Sequence, residues 1–146
     1  MQLTANTVAG MDAAVAYRRA RAVKGSTPDE VIQLKCQQDW PDDGRMRGVC
    51  VNAQGQALRE LETPISGLAA EVGATIRVRC QHDWPDDYQM RLVCERANVR
   101  AWHQLQTPLA GRADAAQRLR QSCLERHRSD LLLRAVCEQK LQETRR

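Results

Sequence analysis

Residues 36–50 of the chain read CQQDWPDDGRMRGVC, and nearly the same string returns at residues 80–94 as CQHDWPDDYQMRLVC. A third stretch, residues 123–137, reads CLERHRSDLLLRAVC and keeps both cysteines at the same distance. Thirteen residues separate the two cysteines of each copy, and successive copies start 44 and 43 residues apart. Because all six cysteines fall into this scheme, the sequence indicates three tandem repeats.

Each copy has the pattern of two helices joined by a turn. In the first two copies a Trp-Pro pair ends one helix, because the residue before a proline is pushed out of the α conformation. Carboxylates follow at once, where they suit the positive end of the next helix, and Ser129 and Asp130 stand at this place in the third copy. The carboxylates of the first two copies are Asp42, Asp43, Asp86 and Asp87. Apolar residues at steps of three and four then mark one face of the second helix.

We therefore predict an all-α fold, in which three tandem helix–turn–helix hairpins (Cys-x13-Cys) form a bundle or a short solenoid after an N-terminal helix. A single domain over residues 1–146 would contain the N-terminal helix at 10–24 and repeats at 27–62, 63–106 and 107–146. Thr27 begins a capping box, and the Thr-Pro pairs at Thr63 and Thr107 are taken as helix starts. The predicted helices are 10–24, 28–39, 42–61, 64–83, 86–105, 108–127 and 129–144.

The paired cysteines are interpreted as disulfides that join the two arms of each hairpin. The midpoint between the cysteines of a copy lies at the turn, so the two side chains face each other across an antiparallel pair. The third copy has lost the Trp-Pro-Asp string and still keeps both cysteines, which indicates that they act together. Six buried thiols and a thiol-based metal site are the alternatives. The predicted bonded residues are Cys36, Cys50, Cys80, Cys94, Cys123 and Cys137.

The motif C-x3-W-P-D-D-x2-M-x3-C, followed by a helix with small residues, resembles a short helical module that occurs singly and in tandem in small bacterial proteins. The third copy departs from this pattern at His127, Arg128 and Ser129. The resemblance implies a bacterial origin and a fold, and it implies no mechanism. The matching residues are Cys36, Trp40, Pro41, Asp42, Asp43, Met46 and Cys50, and Cys80, Trp84, Pro85, Asp86, Asp87, Met90 and Cys94.

The sequence shows no catalytic constellation. It has three histidines, no Ser-His-Asp order and no glycine-rich phosphate loop, and three equivalent cysteine pairs do not resemble one activated thiol. We therefore expect a non-enzymatic protein without catalytic, metal-binding or cofactor-binding residues. The acidic residues around Trp40 are assigned to helix capping, with a calcium site as the alternative. Trp40 and Trp84 are expected to cover the hairpin ends or the seam between repeats, rather than to form a recognition patch.

Basic residues are concentrated near the C-terminus. Residues 1–111 carry thirteen basic and thirteen acidic residues, whereas residues 112–146 carry nine basic and five acidic ones. A solvated arginine-rich helix face is the ordinary explanation, and an acidic partner or nucleic acid is the functional one. The candidate partner surface consists of Trp102, Arg126, Arg128, Arg134 and Lys140.

Taken together, these patterns predict a protein-interaction, adaptor or inhibitor module that binds another protein. The alternatives are a basic cytoplasmic nucleic-acid-binding protein and a thiol-based metal-binding protein. Disulfides imply a periplasmic or secreted protein, although residues 1–10 lack the features of a secretory leader. Free thiols would instead place it in the cytoplasm. The longest apolar runs are too short for a membrane span, and the near absence of aromatic residues predicts an aliphatic core.

Overall fold

The computed structural model describes residues 26–144, and these residues form six helices and no strand. The predicted helix at 10–24 lies outside the described residues. Between residues 26 and 144, no helix combines the length and the apolar character needed to cross a membrane. The helices are α1 (Pro28–Asp39), α2 (Gly44–Glu62), α3 (Ala70–Asp83), α4 (Tyr88–Gln106), α5 (Ala113–Arg126) and α6 (Leu131–Glu143).

The helices pair in chain order into three hairpins, which confirms the predicted fold class. A disulfide joins the two arms of each hairpin. The Cα–Cα separations are 5.6 Å for Cys36–Cys50 and 5.7 Å for Cys123–Cys137, within the range that a disulfide needs. Cys80 and Cys94 form the third pair, so no cysteine is free. The predicted disulfides are therefore confirmed.

An aspartate begins the second helix of each hairpin. The Asp43 carboxylate accepts a hydrogen bond from the Met46 N–H at 3.0 Å, and Asp87 and Asp130 play the same part in the other two hairpins. A capping residue has non-helical backbone, so the helices start at residues 44, 88 and 131. The predicted starts at 42, 86 and 129 were two residues too early, since Pro-Asp belongs to the turn.

An arginine closes each of these turns. Arg47 lies three residues before the second cysteine and donates to the carbonyl oxygens of Trp40 and Pro41, at 3.2 and 2.9 Å. Arg91 and Arg134 make the same contacts with their own turns. These carbonyl groups have no partner within a helix, and the guanidinium satisfies them.

The predicted starts of α3 and α5 were wrong by about six residues. Thr63 caps the end of α2 and has extended backbone, as a residue before proline requires. The chain then turns through Gly67, whose φ of 78° lies in the left-handed region, and Gly111 has the same role with a φ of 105°. The Thr-Pro strings therefore open loops, and the helices begin at Ala70 and Ala113.

The described residues divide into two compact units, 26–92 and 93–144. The prediction of one domain with three repeats came from the repeats alone and stays a prediction. In the first unit the core consists of Val31, Ile32, Cys36, Ala57, Leu61 and Tyr88. In the second it consists of Ala101, Leu105 and Ala135, with Leu131 packed against them. The cores are aliphatic as predicted, except for the buried Tyr88.

Candidate functional site

The same apolar position is exposed in all three hairpins. The residue before the second cysteine is valine in every copy, and Val49, Val93 and Val136 are 53%, 53% and 45% exposed. Trp40 and Trp84 end α1 and α3 with nearly identical backbone angles, and both are almost 40% exposed. Each tryptophan therefore keeps part of its ring in contact with water, and its expected role in covering a hairpin end or the seam between repeats stays a prediction. Each hairpin thus presents an apolar side chain to solvent close to its disulfide.

In the first unit, some of these side chains line a cleft of about 290 Å³. Trp40, Met46, Val49 and Ala53 form its apolar wall. Its polar side consists of Lys35, Asp39, Gln54, Asp87 and Gln89. The cleft therefore lies where the first hairpin meets the turn before α4.

Gln54 on α2 anchors the polar side of this cleft. Its side chain is buried, with Nε2 donating to Asp87 Oδ1 at 2.9 Å and Oε1 accepting from the Tyr88 N–H at 2.7 Å. One carboxamide thus satisfies both the capping aspartate and a backbone donor at the start of α4. The contact fixes α2 against a turn that is 33 residues further along the chain. No local pattern in the sequence indicated it.

Lys35 completes the network. Its ammonium group lies 2.8 Å from Asp39 Oδ2 and 3.3 Å from Asp87 Oδ2. Burial alone would lower the pKa of Lys35, but the two carboxylates raise it. Burial alone would likewise raise the pKa of Asp87. Hydrogen bonds from Gln54 and Met90, together with the nearby ammonium group, instead hold that pKa below its usual value.

We expect Asp87→Asn to destabilise the protein by about 1 kcal/mol at neutral pH. Asparagine still caps a helix, so the loss comes from the contact with Lys35. A depressed carboxyl pKa stabilises the fold above the unfolded value of about 4, and this gain disappears as the pH falls through the folded value. Thermal melts from pH 7 to pH 2 should therefore show the two proteins converging in acid. The control is Asp42→Asn in the exposed turn. An equal loss of stability in both variants would contradict the assigned contact between Asp87 and Lys35.

In the second unit, the outer face of α6 carries a cluster of apolar side chains. Leu132, Leu133 and Val136 are each between 40% and 50% exposed. Arg126, Arg128 and Lys140 are exposed as well, and they have no side-chain partner among residues 26–144. Arg126, Arg128 and Lys140, three of the five residues predicted as a partner surface, are thus exposed in the third hairpin.

The other two predicted surface residues have different surroundings. Arg134 donates to the carbonyl oxygens of His127 and Arg128 and so holds the turn before α6. Trp102 is half-buried on α4. The idea that all five residues contact one partner stays a prediction.

A buried ion pair connects the two helices of the third hairpin. Arg120 Nε lies 2.6 Å from Glu138 Oε1, and Glu138 is only 1% exposed. The same guanidinium donates to the Thr107 carbonyl at 2.7 Å. Arg77 at the matching position of repeat 2 donates to the Thr63 carbonyl at 2.9 Å. Helical periodicity did not predict this pair, although both repeats carry arginine and glutamate at these matching positions.

The cysteines and aspartates that a metal site would use have other partners in the described residues. Over residues 26–144, no three side chains of the His, Cys, Asp or Glu type are placed to hold a metal ion. All six cysteines are oxidised, so they are not thiolate ligands in this form. Of the acidic residues around Trp40 that the calcium alternative would use, Asp43 caps α2 and Asp39 pairs with Lys35.

No protein-family model, curated protein or solved structure matches this chain. The candidate surfaces are therefore interpreted from their own chemistry.

Proposed function

We propose that this chain is a non-enzymatic module that binds another protein in an oxidising compartment, such as the periplasm or the extracellular space. The single observation that carries the proposal is the exposed valine before the second cysteine of each hairpin. Scattered apolar residues on a surface are ordinary. The same residue in three copies is a different matter, because about half of each valine side chain stays in contact with water.

The third hairpin strengthens this argument. It has replaced Trp-Pro-Asp by His-Arg-Ser, and it still keeps Val136. The valine is therefore independent of the turn sequence beside it. Exposed apolar side chains on a rigid scaffold supply the burial that drives protein association.

The disulfides support both the compartment and the binding role. Disulfide-rich small proteins are typical of oxidising compartments. A cross-linked hairpin also presents its surface side chains in a fixed arrangement, which reduces the entropy lost when a partner binds. The periplasmic or secreted location is part of the proposal.

The experiment is a selection of protein fragments, displayed on phage, against the oxidised protein. We expect Val49→Ser to weaken the binders of the first hairpin about tenfold, and Val136→Ser to weaken those of the third hairpin by a similar factor, as the loss of a buried apolar contact predicts. Asn52→Ser and Gln139→Ser are matched controls, since each lies three residues further along the same exposed helix. Affinities would be measured by biolayer interferometry, with circular dichroism to verify folding.

Two outcomes would contradict the proposal. One is a selection that yields no binder tighter than about 100 μM, which is a weak affinity for a dedicated protein interaction. The other is a set of binders that respond equally to the valine variants and to their controls.

A further inference from the structure

The α6 face, defined here as Leu132, Leu133, Val136 and Lys140, differs from the matching faces of the other hairpins. Leu132 stands where the first two repeats have Arg45 and Gln89. Leu133 replaces the half-buried Met46 and Met90, and it is 50% exposed. The third repeat has thus gained one apolar side chain, Leu132, at a position where the other repeats are polar. It also exposes half of Leu133, where the other repeats have a half-buried methionine.

Cations lie near both ends of this apolar cluster. Lys140 follows Val136 by one helical turn, whereas Arg126 ends α5 and Arg128 lies in the turn before α6. Leu132 and Lys140 are eight residues apart, which corresponds to about 12 Å along a helix. None of these three cations has a side-chain partner in the part of the chain that the structure describes. The face therefore combines a short apolar strip with positive charge at either end.

The geometry points to an acidic amphipathic helix of a partner protein as the ligand of the α6 face. This inference rests on the proposed function and specifies its partner. A helix laid along α6 would pack its own apolar strip on Leu132, Leu133 and Val136. Carboxylates near its two ends would then approach Lys140 and Arg128, so that the charges on both sides are complementary.

An anionic membrane fits the same face less well. Lipid-binding segments usually carry clusters of about four to eight basic residues, whereas within residues 26–144 three cations without a side-chain partner lie near this face. Glu143 follows Lys140 by three residues on the same side of α6, and anionic lipid would repel it. A helix with separate carboxylates can accommodate a mixture of charges that a uniform anionic surface cannot.

The test is a yeast-displayed library of twenty-residue helical peptides whose exposed positions are randomised, selected with the full, oxidised chain. We expect the selected peptides to combine leucine at helical spacing with Asp or Glu near both ends. Leu132→Ser/Leu133→Ser should weaken them about tenfold. Lys140→Glu should weaken them about fivefold, and Arg112→Glu is the matched control because it makes the same charge change on an exposed residue of the same unit.

Other results would overturn the inference. Selected peptides without an acidic excess, or equal effects of Lys140→Glu and Arg112→Glu, would exclude the charge complementarity. Binding to vesicles of phosphatidylcholine and phosphatidylserine that the leucine variant abolishes would identify a membrane instead. Dimerisation in light scattering that the same variant abolishes would identify a second copy of the chain. Fragments that depend on Val49 and not on the two leucines would leave the proposed function intact while removing this partner.

Discussion

Reduction of the three disulfides is expected to unfold most of the protein at room temperature. Each bond closes a loop of fifteen residues, which in the chain-entropy model is worth roughly 3 kcal/mol. Three such loops together approach the total stability of an ordinary domain, about 5–15 kcal/mol. Circular dichroism melts with and without a phosphine reductant would measure the difference. The number of alkylated cysteines, from intact mass, would verify that all six thiols are blocked only after reduction.

Replacing the cysteines one pair at a time would separate the contributions of the three disulfides to stability. Cys123→Ser/Cys137→Ser should remove about 3 kcal/mol and leave two disulfides in place, so that the variant remains soluble enough to measure. Equal melting curves before and after reduction would mean that the cysteines stabilise the fold only as small buried residues. The proposed oxidising compartment would then lose its main support.

A second large loss of folding stability is expected from Arg120→Met. This change leaves the Glu138 carboxylate, which is 1% exposed, without its counter-charge. Removal of one member of a buried ion pair costs about 3–5 kcal/mol, because the remaining charge stays desolvated. The hydrogen bond to the Thr107 carbonyl disappears as well. Urea unfolding followed by circular dichroism would measure the loss.

Arg118, which lies two residues before Arg120 on α5, provides a matched control. Arg118 pairs with Asp114 at 3.7 Å on the open surface, and Arg118→Met should cost less than about 1 kcal/mol. The double variant Arg120→Met/Glu138→Leu should recover much of the lost stability, since a well-packed apolar pair can replace a buried ion pair. A similar loss for Arg118→Met and Arg120→Met would show that burial of this pair has no energetic consequence.

The sequence predicted those parts of the fold that depend on short-range chemistry. The helix at 28–39 was predicted to the residue, because Thr27 caps its start and Trp40-Pro41 ends it. The cysteine spacing predicted the disulfides for a similar reason, since both partners lie close to one turn. The loops after Thr63 and Thr107 were missed because a Thr-Pro pair can open a helix or leave one. The shared glycine three residues after each Thr-Pro pair was the signal that decides between these readings.

The contacts that connect distant parts of the chain could not be predicted in this way. Gln54 and Asp87 are 33 residues apart, and no periodicity indicates which surface glutamine becomes buried. Comparison of the three repeats would have revealed the arginine that closes each turn. Arg47, Arg91 and Arg134 recur three residues before the second cysteine even in the divergent third copy, and that recurrence marks the side chain that closes each turn.

This closed turn bears on how the chain acquires its disulfides. Six cysteines allow fifteen pairings, and a chain that sampled them all would pass through many wrong isomers. Here the aspartate cap and the arginine both act within the fifteen residues that contain each cysteine pair. The contacts that align a cysteine with its partner are therefore local, and they can form before the rest of the molecule is in place. We expect the two cysteines of each hairpin to oxidise independently of the other hairpins. The native pairing should therefore form faster than any other while the chain is folding.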